Sequence, residues 1–271
     1  MLRHWEYSET SQTVALFSRE HGVIRGLAKG ARRERGSFCG GFEVLTYGEI
    51  GAITKPSTDL ATLTDWDLQE VFWSTRRGLL AHRAGLYAAD LLHHALRAGD
   101  AHPELFDAAL RLLRGLGDAA RIASRILQFQ WILLVETGYR PRLQGPGDDG
   151  GPAEPRQRGK PALCRFSPLH GGVIPLTEQV QNVWMVRVET IDALRAAERG
   201  AGLDAVPLVT LVRASRLLGA YLHVLLEREL PTHEAYFAVL PGSTTMGRQT
   251  GARVAGPPGG SVNPERKPSA V

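Results

Sequence analysis

The sequence predicts an α+β chain with more than one domain: a small all-β N-terminal portion, a helical domain, and a disordered C-terminal tail. Three observations carry this. Short β-rich runs punctuated by turns reach to about residue 72, helical spacing takes over from about residue 74, and glycine and proline dominate after Leu240. With 271 residues, 43% of them hydrophobic, the chain can bury a sizeable core and divide into two domains.

Leu2 to Tyr7 alternates loosely and Thr13 to Ser18 is rich in strand formers, while Glu20-His21-Gly22 reads as a hairpin turn into Val23 to Ala28. Phe42 to Ile53 and Leu60 to Val71 supply two further runs. Five short strands suit a closed barrel, because closure removes the exposed edges that an open sheet would leave. A five-stranded OB-fold barrel over residues 1–73 is the expectation.

In the next stretch Leu80, Ala84, Tyr87, Leu91 and Ala95 recur at steps of three or four, which places them on one helix face. Pro103 sits where a first-turn proline is tolerated, ahead of a stripe of Leu105, Phe106, Ala109, Leu112, Leu113 and Leu116. Asp118 is placed to cap a third helix with Ile122, Ile126, Phe129 and Leu133 inward, ending at Gly138. Residues 141–161 hold five prolines and five glycines in 21 positions, so neither helix nor strand persists there. Arg165 to Ile174 reads as a turn-rich excursion, and helical patterns resume over Leu176 to Arg199 and Pro207 to Arg228. The helical domain thus runs over 74–240 with an insertion at 141–175. From residue 241 to 271, 11 of 31 residues are glycine or proline, so the tail lacks the apolar groups to offset its ordering entropy.

Charge is unevenly placed. Residues 22–38, GVIRGLAKGARRERGSF, carry Arg25, Lys29, Arg32, Arg33 and Arg35 against the single acid Glu34, a local excess equal to the +4 of the whole chain. A basic loop leaving a barrel strand neutralises phosphates and releases counterions, which favours nucleic acid with little regard to base sequence. A solvated loop that keeps the barrel soluble is the plainer reading of the same charges. Trp5, Tyr7, Phe17, Phe38, Phe42 and Tyr47 are available as stacking platforms, although a small barrel uses most of its aromatics as core.

Other chemistry is poorly supported. Cys39 and Cys164 are the two cysteines, which fits a reducing, cytoplasmic setting and leaves no metal quartet. His93 and His94 are adjacent and diverge on a helix, so they cannot share an ion. No nucleophile elbow, Walker loop or dinucleotide fingerprint is present, and Asp65 with Asp67, at a helix start, and Asp148 with Asp149, in the flexible insertion, are explained by capping and solvation. The N-terminus has no signal-peptide core, and the most apolar segment, Ile126 to Val135, is too short to span a bilayer. A binding protein without cofactor is expected, not an enzyme.

The order of residues in the basic stretch adds to its charge. G-V-I-R-G-L-A-K-G-A-R-R followed by Ser37-Phe38, then Gly41-Phe42-Glu43-Val44-Leu45 and Leu60-Ala61-Thr62-Leu63-Thr64, resembles the N-terminal signature of the bacterial DNA repair and recombination mediator family RecO. Leu133 to Pro141, LLVETGYRP, and Phe166 to Gly172, FSPLHGG, resemble later motifs of that family in the right order. The resemblance implies an N-terminal OB fold, a helical second domain, binding of single- and double-stranded DNA, annealing of complementary strands, and help for RecA in displacing single-strand-binding protein. RecR, single-strand-binding protein and, in some pathways, RecF are the partners it implies. It carries DNA contact onto Arg25, Lys29, Arg32 and Arg33, with Arg35 beside them on charge.

One departure stands out. Many members have cysteine pairs for zinc after the Gly-Tyr-x-Pro and Phe-Ser-Pro-x-x-Gly-Gly motifs, whereas this chain has Gln144-Gly145-Pro146-Gly147 and Val173-Ile174-Pro175-Leu176 there. A zinc-less variant is expected. The alternative kept open is an OB-fold adaptor whose basic loop binds RNA or protein.

Overall fold

The computed structural model describes residues 1–33, 37–38, 42–55, 58–144, 161–175 and 180–240. Five strands come first: β1 (Arg3–Glu6), β2 (Gln12–Ser18), β3 (Gly22–Ala28), β4 (Thr46–Lys55) and β5 (Thr58–Val71). They form one sheet in the order β1-β2-β3-β5-β4, antiparallel except for the parallel pair of β3 and β5, where Gly26 faces Ala61 and Ala28 faces Leu63. All five strand runs expected from the sequence are present.

The barrel does not close. Among the described residues β1 and β4, the outer strands, are not paired. They meet only at one end, where the Met1 amine donates to the Thr46 carbonyl (2.7 Å) and the Leu45 N–H donates to the Met1 carbonyl (3.1 Å). Open edges invite pairing, which is the reason to expect closure, and here the edges are managed differently. β1 is only four residues long and exposed throughout, and β4 is interrupted by register shifts at Tyr47/Gly48 and Gly51/Ala52.

The sheet buries residues on both faces. Val14, Leu16, Ala28, Ala61, Leu63 and Trp66 form a small core covered by Phe38 and Phe42. On the other side Phe17 and Val23, with Leu2 and Leu45, join the core of the helices. The β2–β3 turn is held against the helical part through Gly22, whose φ of +61° and whose approach to the Asp100 backbone leave no room for a Cβ. Ion pairs of Arg19 with Asp107 (2.9 Å) and Arg114 with Glu70 (2.7 Å) add to the same junction.

Helical spacing then produces α1 (Trp73–Arg77), α2 (Leu79–Ala95), α3 (Pro103–Gly115) and α4 (Ile122–Glu136). Ala84, Tyr87 and Leu91 of α2, and Ile122, Ile126, Phe129 and Leu133 of α4, are buried as their periodicity requires. Gly138 takes the left-handed conformation after α4 (φ +80°). Asp118 does not cap α4 with its side chain: residues 119–121 make a short 3₁₀ turn, and the Asp118 carboxylate lies 3.4 Å from Arg121 Nε.

The later part of the insertion and the residues that follow it differ from the sequence expectation. Arg165 to Ile174 is regular: β6 (Leu163–Ser167) pairs with β7 (Gly172–Ile174) and β8 (Trp184–Arg187) in a second, three-stranded sheet. The helix expected from Leu176 starts only at Val188, as α5 (Val188–Arg199), because Trp184 to Arg187 are drawn into the ladder with β6. α6 (Leu208–Leu226) follows, then α7 (Pro231–Phe237), which the sequence pattern does not set apart. α6 is long and apolar enough to cross a membrane, but Leu211, Ala214, Leu218 and Leu222 form part of the protein's core. At the centre Gln130 of α4 donates to Tyr87 Oη of α2 (2.8 Å) and to the Ser215 carbonyl of α6 (3.1 Å), and it accepts from Ser215 Oγ (2.6 Å). A fully satisfied buried amide fixes how these three helices sit. The tail from residue 241 and residues 145–160 of the insertion lie outside the described residues.

Candidate nucleic-acid interface

The basic loop is held by its neighbours. Gly30, at φ +73°, turns the chain out of β3, its N–H donates to Ser11 Oγ (3.3 Å), and the Arg32 N–H donates to the Thr10 carbonyl (3.1 Å). The Arg33 N–H closes the turn onto the Gly30 carbonyl (3.0 Å). Residues 30–33 are therefore pinned to the β1–β2 connection, and Arg32 and Arg33 are presented from a held backbone. Gly26 has a separate reason to be glycine: a Cβ there would stand 2.5 Å from Leu63 Cδ2, inside the β3–β5 interface.

Arg25, Lys29, Arg32 and Arg33 are all exposed, and Arg35 lies outside the described residues. Arg32 is engaged by Glu6 across 2.5 Å, a pair open to solvent on both sides. Among the described residues no acid pairs with Arg25, Lys29 or Arg33. The structure brings positions 29 to 33 together but separates Arg25 from them. Arg25 faces Ala15, which faces Arg3, so these three share one side of the sheet, whereas Glu6, the partner of Arg32, falls on the other side by strand alternation. The cations thus straddle the β1 edge.

Arg25 and Arg3 reach the C-terminal end of α2. There burial, the adjacent His94 and the charges of Arg3 and Arg25 push His93 down to about 4. A neutral His93 leaves the positive charge at this seam to the arginines. The aromatics divide as well: Phe17, Phe38 and Phe42 are buried, Tyr47 is half-buried, and Trp5 and Tyr7 are exposed.

Elsewhere the acids have structural partners. Asp65 and Asp67 lie within β5, not at a helix start. Asp65 accepts from Thr64 Oγ1 (2.6 Å) and Asp67 from Gln69 Nε2 (2.6 Å). Asp148 and Asp149 lie outside the described residues. Cys164 is a half-buried thiol on β6, pushed up to about 11 chiefly by burial. Among the described residues no group of three or more His, Cys, Asp or Glu is placed to hold a metal ion. Among the described residues, Gln144, Val173, Ile174 and Pro175 stand at the positions where cysteines would be expected, and next to them the Arg142 N–H donates to the Gly171 carbonyl and the Val173 N–H to the Arg142 carbonyl, both at 2.8 Å. The residues present here do not fit a zinc site.

An open OB-type sheet with a pinned cationic loop, packed on a helical body, defines a binding scaffold with a basic footprint. Residues 1–72 match the family described as Recombination protein O N terminal, and residues 77–234 match Recombination protein O C terminal. The chain belongs to the RecO family, a family of DNA repair and recombination proteins. It is 34% identical over 174 residues to the DNA repair protein RecO of Rhodopirellula baltica, a match covering 64% of this chain and 63% of that one. It is 28% identical over 228 residues to the DNA repair protein RecO of Myxococcus xanthus (83% and 89% covered). With that of Dehalococcoides mccartyi strain CBDB1 it shares 26% over 196 residues (72% and 74%).

Proposed function

We propose that this chain is a recombination mediator that binds single- and double-stranded DNA, anneals complementary strands and assists loading of RecA onto strands coated with single-strand-binding protein. It works by binding and turns over no substrate. Residues 1–73 make the DNA contact, residues 74–240 hold protein partners, among them RecR, single-strand-binding protein and RecF, and the setting is the cytoplasm at the nucleoid. The observation that supports this reading is the pinned loop, whose Lys29 and Arg33 have no acidic partner among the described residues, in a chain of the RecO family. Arg25, Lys29, Arg32, Arg33 and Arg35 neutralise phosphates, so two strands approach each other with less repulsion.

Reversing Arg32 and Arg33 together to Glu is expected to abolish annealing and to lower the slope of log affinity against log salt by about 0.7 to 0.9 for each phosphate no longer neutralised. Thermal stability should change little, because both side chains are exposed. A double variant that anneals at the wild-type rate overturns the loop assignment. Structured RNA that competes better than single-stranded DNA overturns the repair reading.

A further inference from the structure

Across the first three strands Arg3 faces Ala15 and Ala15 faces Arg25, while Trp5 faces Thr13 and Thr13 faces Leu27. Directly opposed residues share a face of an antiparallel pair, and so do residues two apart on one strand. One side of the sheet therefore has Arg3 and Trp5 along the outer strand and Arg25 and Leu27 along the inner one, with the small residues Ala15 and Thr13 between. Just past the last paired residues, the Tyr7 N–H donates to the Ser11 carbonyl (3.1 Å) and the Gly30 N–H to Ser11 Oγ (3.3 Å), which keeps Tyr7 and Lys29 beside the same turn.

Two large aromatics stand exposed on this edge, Trp5 at 38% and Tyr7 at 63%, while the sheet's own core takes Phe38, Phe42 and Trp66. Packing does not explain them. The Trp5 indole is nevertheless held: the Arg3 guanidinium lies 5.4 Å from its ring centroid and the His93 ring is 5.7 Å away, tilted by 53°. At the His93 ring against it, Arg3 and Arg25 outnumber the one acid that acts there, Asp90, and the one acid of the strand, Glu6, falls on the opposite side and is taken up by Arg32.

We infer that this edge is a stacking track for single-stranded nucleic acid, in which unpaired bases lie on Trp5 and Tyr7 while Arg3, Arg25 and Lys29 meet the flanking phosphates. The inference rests on the nucleic-acid reading of the basic loop and adds to it the source of a preference for single strands. Cations neutralise any phosphate backbone, but an aromatic ring on the surface gains only from a base free to leave its own stack. Ala15 is itself buried and Thr13 half-buried, so the small residues of β2 let the two rows close over them, and the shortness of β1 leaves the rings at a free edge.

Fluorescence anisotropy with labelled oligo-dT, an abasic strand of the same length and a duplex of the same length tests this, at fixed salt and in a salt titration. Trp5→Ala and Tyr7→Ala should each weaken oligo-dT binding by about 5- to 150-fold, while abasic and duplex binding change by less than about twofold and the salt slope stays the same. Trp5→Phe should keep most of the affinity for oligo-dT. Oligo-dT should also quench the tryptophan emission of the wild-type chain, in a component that Trp5→Phe removes and the abasic strand does not produce. Arg25→Glu should weaken all three ligands and lower the salt slope. Unchanged oligo-dT binding by the alanine variants, an equal loss on all three ligands, or equal quenching by the abasic strand overturns the stacking track and leaves the phosphate reading standing. A wild-type chain that binds none of the three overturns both.

Discussion

A set of arginines that tie the fold together has surroundings unlike those of the basic loop. Arg114, Arg121, Arg140 and Arg195 of the helical part and Arg19 of the β2–β3 turn each face a carboxylate, and several of these pairs join separate elements, as Arg114 of α3 joins Glu70 of β5. In the described part of the loop only Arg32 has an acid, and that acid, Glu6, is 74% exposed. Paired cations serve the fold and contribute little net field. Unpaired ones keep their charge available to a polyanion. Of the arginines near the start of α4, Arg121 faces Asp118 and Asp204, and Arg125 lies over Gly115.

The largest expected effect tests whether stability and binding reside in separate regions. Leu133→Ala empties a fully buried position of α4 and should lower stability by about 3 kcal/mol, measured by urea denaturation. DNA affinity, read well below the unfolding midpoint, should be unchanged. A parallel fall in affinity breaks the separation.

Acid should act on the helical side next. Burial first, then His223 and Arg216, push His233 down to about 3, and His93 lies at about 4. Glu234 stands 3.5 Å from His233 Nδ1, but its side chain is 82% exposed, so burial prevails. Both histidines have folded values below the ordinary 6.5, so the unfolded chain binds more protons between these limits. Stability is therefore present above about 6.5 and is lost as pH falls toward 4, by on the order of 2 kcal/mol. Thermal melts from pH 7.5 to 4.5 should show the decline, and His233→Gln should flatten it. A pH-independent melting temperature would contradict the burial of these rings.

Gly26→Ala should cost about 1 to 2 kcal/mol by pressing on Leu63, with the loss confined to the β3–β5 interface in hydrogen exchange. Glu6→Gln should have the smallest effect and the opposite sign. Releasing Arg32 should raise DNA affinity by up to about fivefold and leave stability within about 0.5 kcal/mol, as expected of an exposed pair. A fall in affinity would mean that Glu6 orients Arg32 and does not compete for it.

Much of the fold is legible in the sequence because its signals are local. Alternation and turn residues mark β1 to β5, and the spacing of Leu105, Ala109 and Leu112 or of Ile122, Ile126 and Leu133 marks α3 and α4. The signals fail where neighbours far along the chain decide. Trp184 to Arg187 have the composition to join a helix, yet pairing with β6 makes them a strand. α7 escapes the periodicity although Pro231 marks a first turn, because what orders it is burial of Tyr236 and Phe237 against Tyr87, nearly 150 positions earlier. Asp65 and Asp67 resemble helix-start acids only until β5, which contains them, is seen to continue to Val71.

For the candidate site the division is similar. The basic stretch, its glycines and its family signature are properties of residue order, so the presence of the loop, the strand before it and the excess charge follow from sequence alone. Whether the sheet closes depends on Met1 meeting Leu45 and Thr46 without β1 pairing to β4, which is a matter of edge geometry. Register, too, is non-local: it places Arg25 beside Arg3 and on the other side from Glu6, and it leaves Trp5 and Tyr7 at a free edge while their fellow aromatics are buried. Charge and periodicity are written into the chain one residue at a time, but a face, an edge and a partner exist only once separate segments have packed.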